Sequence, residues 1–490
     1  MDPQLITFVV PFSAKLVPVR DELERTWGNP VKHPIKQRLA GLEVIHFLGI
    51  HALPGEPLNH LVIELALDGS ISRTIDVLAR TFESELRAVL AAACVEPTKD
   101  LAKFLRRHEE SLGLSWFGTH GLGFTGTPGF SVQRILVEAK LAAAVTQLLA
   151  SGRITGTASA KLEWVRAALW ADPRTESNWR WAFEPAATLS DERRSILGTI
   201  RRSIGPALRE LLWPLTILPV VGFGVGLLLG GPWVAFGLLG AAVLSQAGYC
   251  AAKYRQFRAL ETTDVEDHEP ADPNELETVV KLEDQHAQNH LITFSTLKPG
   301  WLRRFSLRAA LFGIRQTATH LYAPGKLEDI ATIHAARWIV LPKTSQLLFM
   351  SNYGGSWESY LEDFIIKAHT GLTGVWSNAR GFPRTSNLFF EGATQGSQFK
   401  TWARRQQQPT HCWYSAYPDL MTSRIRINAK IRHGIASATT ETEASEWLAF
   451  FGAPTAPDLE TQKIPALVFG AFPKLRFGKA IVYRFEDGAQ

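Results

Sequence analysis

The densest concentration of reactive side chains lies in residues 351–433, which include SNYGGSWESYLEDF, WSNARGFPRTSNLFFEG, WARRQQQPTHCWYSAYP and SRIRINAKIRHG. Arg380, Arg384, Arg404, Arg405, Arg424, Arg426 and Arg432 are interleaved with Trp357, Trp376, Trp402, Trp413, Tyr414 and Tyr417. Guanidinium forks make bidentate salt bridges and stack on ring faces, so this mixture suits a planar anionic ligand. Haem propionates, a phosphate headgroup or a nucleotide all meet that description. A basic face resting on anionic lipid, at about 1 kcal/mol per basic residue near the surface, accounts for the same residues. The sequence leaves both readings open.

Four histidines of the same half are the axial candidates for a haem iron: His334, His369, His411 and His433. His411 and His433 are also the candidate ligands for a metal ion. His369 falls in the last turn of one expected helix and His433 at the end of another, where the helix dipole favours a cation anyway. HExxH, a Walker A loop and GxSxG are all absent. Gly121–Gly126 fits GxGxxG by letter, but no βαβ unit surrounds it, and a glycine-rich loop is the expectation. Ser356, after two glycines at a strand-to-helix turn, reads as a helix N-cap rather than a nucleophile.

The elements that must position these residues recur. Hydrophobic patterning predicts a strand at Leu5–Pro11, a polar helical region, strands at Val44–Leu53 and Leu58–Leu67, and a helix over Ser70–Ala93. A helix follows at Val132–Ala150. The order returns with a strand at His290–Leu297, a basic helix Trp301–Tyr322, strands Ile333–Leu341 and Gln346–Asn352, and a helix Ser356–His369; Asn387–Phe390 is expected as a fourth strand. Ile45-His46 matches Ile333-His334, Leu53-Pro54 matches Leu341-Pro342, and Gly69-Ser70 matches Gly355-Ser356. The pattern reads as an internal duplication of a β-α-β-β-α unit.

Between the halves, residues 211–252 carry no charged side chain and hold two apolar lengths of roughly 20 residues, each enough to cross a bilayer. Gly230-Gly231-Pro232 is the expected turn. Arg201, Arg202 and Arg209 precede the stretch and Lys253, Arg255 and Arg258 follow it, which places both soluble halves on the cytoplasmic side of an inner or cytoplasmic membrane. The expected divisions are 1–110 (first unit), 111–210 (helical region), 211–252 (transmembrane hairpin), 253–287 (acidic linker), 288–435 (second unit) and 436–490 (C-terminal extension).

Over about residues 4–95 and 288–435 this order resembles the tandem ferredoxin-like units of the dimeric α/β-barrel superfamily, which includes dye-decolourising peroxidases and chlorite dismutases. The resemblance rests on element order. It implies an α+β fold in which two ferredoxin-like sheets cover each other. It also implies haem in the second unit, with a histidine on the iron and an arginine on the open side. Arg337, Arg384 and Trp357 are then the catalytic candidates, with His334, His369, His411, His433, Arg404 and Tyr414 holding the cofactor. Leu67-Asp68-Gly69-Ser70 only partly matches the glycine-and-aspartate motif of the peroxidases, and it lies in the first half.

Composition narrows the rest. A net charge of +5 with scattered basic residues argues against nucleic acid. Three distant cysteines point to a reducing compartment, and MDPQLITFVVPF reads as a strand rather than a signal peptide. The leading expectation is a membrane-anchored haem-binding oxidoreductase with a lipophilic substrate, a homo-oligomer if the hairpins associate. The alternatives are a non-enzymatic membrane protein that binds lipid or a small anion, and an oligomeric scaffold.

Overall fold

A computed structural model describes residues 3–28, 34–110, 112, 120–151, 155–171, 179–341, 344–387 and 389–451. The fold is α+β with antiparallel sheets and one long apolar helix. In chain order the strands are β1 Gln4–Phe12, β2 Ile45–Leu53, β3 Asn59–Leu67, β4 His120–Thr125, β5 Gln288–Thr296, β6 Ile333–Val340, β7 Gln346–Gly354, β8 Thr385–Ser386, β9 Phe390–Glu391 and β10 Cys412–Ser415. One sheet runs β1-β3-β2-β10 and the other β4-β6-β7-β5.

Each sheet therefore takes three strands from one half of the chain and its fourth from the other half. β10 pairs with β2 through Trp413 opposite Gly49, and β4 pairs with β6 through Gly123 opposite Arg337. This corrects two expectations. Asn387–Phe390 does not complete a sheet: β9 forms only a two-residue ladder with β8. Gly121–Gly126 is not a loop, because all but its last residue lie in β4. Glycine is needed there for close approach, since a Cβ on Gly121 would lie 2.8 Å from the Trp338 carbonyl oxygen and one on Gly126 closer still to that of Ile333.

The strands alternate between two environments, as the pleat requires. Leu48, Ile50, Leu61, Ile63 and Leu65 pack against helices Leu16–Thr26, Ile71–Thr81 and Glu83–Ala92. Leu291, Leu347 and Phe349 do the same against helices Trp301–His320 and Trp357–Lys367. The opposite faces meet: Val9, Leu53 and Val62 share a core with Ile292, Ile339, Leu348 and Met350. The two sheets thus form a sandwich with helices outside. Ser70 and Ser356 cap their helices, accepting from the backbone N–H of Arg73 and Ser359.

The helix expected over Ser70–Ala93 breaks at Phe82, which is fully buried against Trp27. Helix Trp357–Lys367 likewise ends before His369, which opens a new helix, and His433 lies inside helix Thr422–Ser437 rather than at its end. The acidic stretch after the hairpin contains helix Pro273–Leu282 and docks on the second half, with Asp264 bound to Lys298 and Arg303 and Asp267 to Arg405.

Trp213–Thr263 is long and apolar enough to cross a membrane and is largely exposed. Its helical backbone is interrupted at Gly230 and Gly231, where Gly231 takes φ 74°, and the chain doubles back. Phe223 meets Phe236 with centroids 5.6 Å apart, and a Cβ on Gly226 would lie 2.4 Å from Ala235 Cα, so glycine lets the arms touch. The outer surface is bare hydrocarbon, with Leu228 87% and Trp233 86% exposed.

Candidate metal centre

Inside the sandwich, charged groups stand among aliphatic ones. His51 on β2 lies opposite Val62 on β3, and Glu64 lies opposite Gly49, so His51 and Glu64 are diagonal neighbours on the inner face. His290 on β5 faces them from the other sheet. Glu64 Oε1 is 2.6 Å from His290 Nε2 and 3.9 Å from His51 Nε2, and the side chains are at most 1% exposed. The two imidazoles stack in parallel, 3° apart in plane and 4.9 Å between centroids. Gly49 makes the space: a Cβ there would lie 2.5 Å from His51 Nε2 and 2.7 Å from Glu64 Oε1.

The contact of Glu64 with His290 is as short as a hydrogen bond, but neither it nor the longer one to His51 is well aligned for an N–H donor. Both nitrogens of His51, both oxygens of Glu64 and Nε2 of His290 lack hydrogen-bond partners. Such orphaned buried atoms are costly and demand an explanation. His290 Nδ1 lies 3.0 Å from Thr410 Oγ1. With Nδ1 donating there, the Nε2 lone pair faces a carboxylate lone pair at 2.6 Å. Two such atoms need a positive centre, either a proton or a metal ion. One donor atom from each residue falls in a cluster no more than 4.8 Å across. Ligands about 2.1 Å from a tetrahedral ion stand about 3.4 Å apart, so small side-chain shifts would complete the geometry.

The electrostatics prepare these groups as ligands. Burial pushes the Glu64 carboxyl up, but a proton on His290, whose place a metal ion would take, and the Arg337 guanidinium outweigh it and hold the group well below the usual carboxylate range. Burial drives His51 down to about 4 despite Glu64 beside it. Near neutral pH the site thus offers a carboxylate and a neutral His51 imidazole, the forms that bind metal.

Arg337, on β6, has its Nε 3.4 Å from Glu64 Oε2. Its Nη1 donates to the Ile6 carbonyl oxygen at 2.7 Å and to Thr7 Oγ1 and the Leu65 carbonyl oxygen at 3.2 Å. It ties the sheets together and holds the outer carboxylate oxygen, leaving Oε1 to the histidines. On the far side, His290 lines a cavity of about 20 Å³ with Gln288, Gln407, Gln408 and Thr410, room for a water molecule.

A second polar group lies at the His46 bulge. Asp68 Oδ1 is 2.9 Å from His46 Nε2, and His46 Nδ1 is 2.7 Å from the Tyr417 hydroxyl. Asp68 Oδ2 also accepts the backbone N–H of Val132, fixing the start of helix Val132–Ala150. His334 packs on Phe47 and Tyr417, with both ring nitrogens unpartnered and burial driving its pKa down to about 3.

The other expected site residues are distributed widely. Arg404 and Trp357 come together, the guanidinium carbon 3.6 Å from the ring centroid, and Arg404 also makes a bidentate pair with Glu283 at 2.6 and 2.9 Å. Arg384 is exposed beside Glu266. Tyr414 packs in the core between the first sheet and its helices. His369 is half-buried in the outer helical layer. His411 and His433 are not in one environment: His411 is near Arg20 and His51, whereas His433 is exposed on helix Thr422–Ser437. Of the candidates, only Arg337 belongs to the buried cluster. His51, Glu64, His290 and Gly49 were missed. The available signal was Glu64, the one charged side chain in NHLVIELAL.

Comparison of the chain with protein-family models, with curated proteins and with solved structures finds no match.

Proposed function

We propose that this chain is a membrane-attached oxidoreductase whose centre is a non-haem iron(II) ion held by His51, Glu64 and His290. The observation that carries the reading is the donor set: two imidazoles and one carboxylate converge in the interior, with donor atoms that find no partner outside the cluster. Two histidines and a carboxylate with open positions are the ligand set of non-haem iron oxygen chemistry; zinc accepts the same donors. In this reading Glu64 and the histidines bind the ion, Arg337 orients the carboxylate, and Gly49 leaves the ion its space.

Membrane attachment is part of the proposal. It draws on the exposed apolar hairpin and on the basic residues at both of its ends, which favour the cytoplasmic face for the sandwich. The duplicated ferredoxin-like reading, and the barrel it implies, draw support from the matching β-α-β-β orders of the two halves. The exchanged fourth strands would then be what locks the two units together. Haem fits less well: Arg404, an expected cofactor contact, stacks on Trp357, an expected catalytic residue, and pairs with Glu283.

Elemental analysis and an absorption spectrum of the full chain, purified in detergent, test this together. The proposal expects near-stoichiometric iron, no Soret band, and loss of the metal in His51→Ala and His290→Ala. Protein that is metal-free after reconstitution with iron(II), or a Soret band at near-stoichiometric intensity, refutes it.

A further inference from the structure

We propose that helix Ile196–Ala207 lies in the plane of the membrane, its apolar stripe sunk to the acyl boundary of an anionic leaflet. The inference rests on the membrane attachment proposed above. Ile196, Leu197, Ile200 and Ile204 fall within a stripe about 100° wide on a helical projection. That stripe faces outward: Leu197 is 77% exposed and Ile204 54%. The flank of the helix beside this stripe is the side packed on the protein. Thr199 is buried and its hydroxyl donates to the His320 carbonyl oxygen at 2.7 Å, while the Ser203 hydroxyl donates to Gln316 Oε1 at 3.2 Å. The helix thus packs its small polar face inward and presents isoleucine and leucine outward, the reverse of an ordinary surface helix.

Continuity with the hairpin identifies what covers the stripe. The helix runs through a π-helical turn, Leu208–Leu212, directly into the first apolar arm. That turn is fixed to the second half: Glu210 pairs with Arg315, and Arg308 donates to the Glu210 carbonyl oxygen at 2.7 Å. The returning arm reaches the same level. There Tyr249, Tyr254 and Trp301 are exposed, and the Lys253 ammonium sits 5.4 Å from the Tyr249 ring and 5.5 Å from that of Trp301. Aromatic and basic side chains in this mixture mark a membrane–water interface. Arg201, Arg202 and Arg209 are exposed along the same helix and turn, supplying the charge that favours anionic headgroups.

A fluorophore placed by Leu197→Cys, in full-length protein with Cys94→Ser and Cys250→Ser, tests the proposal. The protein is reconstituted in vesicles of phosphatidylcholine and phosphatidylglycerol, with Leu228→Cys labelled in parallel to report the hairpin. We expect nitroxide lipids to quench both labels and aqueous iodide to quench neither. Quenching of the Leu228 label by lipid alongside quenching of the Leu197 label by iodide overturns the in-plane helix and leaves the hairpin standing. Iodide quenching of both labels overturns membrane attachment, and the helix inference with it.

Discussion

Glu64→Gln, in protein freed of metal by chelation, isolates the charge at the centre of the sandwich. The change keeps the shape and removes the counterion of Arg337, which is fully buried. At 3.4 Å, and with an effective dielectric near 20, the lost attraction is about 5 kcal/mol before any relaxation. The neutral acceptors on Ile6, Thr7 and Leu65 remain and soften the loss, so about 3–5 kcal/mol of destabilisation is expected, in line with breaking other buried pairs. Urea unfolding at pH 7.5, followed by tryptophan fluorescence, measures it. Glu64→Gln/Arg337→Met removes the stranded charge and recovers at least about 2 kcal/mol. A single-variant loss below about 1 kcal/mol, or a double variant no better than the single, would show the pair to be solvated and the reasoning wrong.

Three further outcomes follow from the same geometry. Burial lowers His51 from 6.5 to about 4 and His334 to about 3, so the unfolded chain takes up protons first as pH falls. In metal-free protein, stability is therefore complete above about pH 6.5 and declines toward pH 4, by about 3 kcal/mol through His51 and more through His334; His334→Phe flattens this urea-midpoint profile. Gly49→Ala places a methyl group against His51 Nε2 and Glu64 Oε1, and iron content of the purified variant drops at least tenfold. Gly226→Leu forces the hairpin arms apart at Ala235 and lowers the detergent-solubilised protein's Tm by several degrees; an unchanged Tm contradicts the arm packing.

The legible parts of the fold were those with a strong local pattern. Helix Val132–Ala150 has the limits its apolar spacing predicts, and the long strands start and stop within a residue or two of expectation because their apolar runs are bounded by turn residues. β4 was illegible for the opposite reason: glycines at 121 and 123 offer no side chains to alternate. Pairing between β4 and β6, and between β10 and β2, joins segments far apart in the chain, which no local pattern reports. At the site, Arg337 was singled out through the expected arginine beside a haem, yet its partner is a carboxylate on the other half. Crowded arginines and aromatics in residues 351–433 drew attention because they are numerous, although Arg404 and Arg405 pair with nearby acidic side chains. Three ligands contributed singly by β2, β3 and β5 have no spacing to recognise.

An anomalous difference map at the iron edge, from crystals of the full-length protein, tests the central claim most directly. The account predicts one strong peak between β2, β3 and β5, about 2.1 Å from His51 Nε2, Glu64 Oε1 and His290 Nε2. A featureless map at that position in iron-replete crystals, with Glu64 and His290 still in contact, would contradict it and leave the cluster a proton-bridged ion pair.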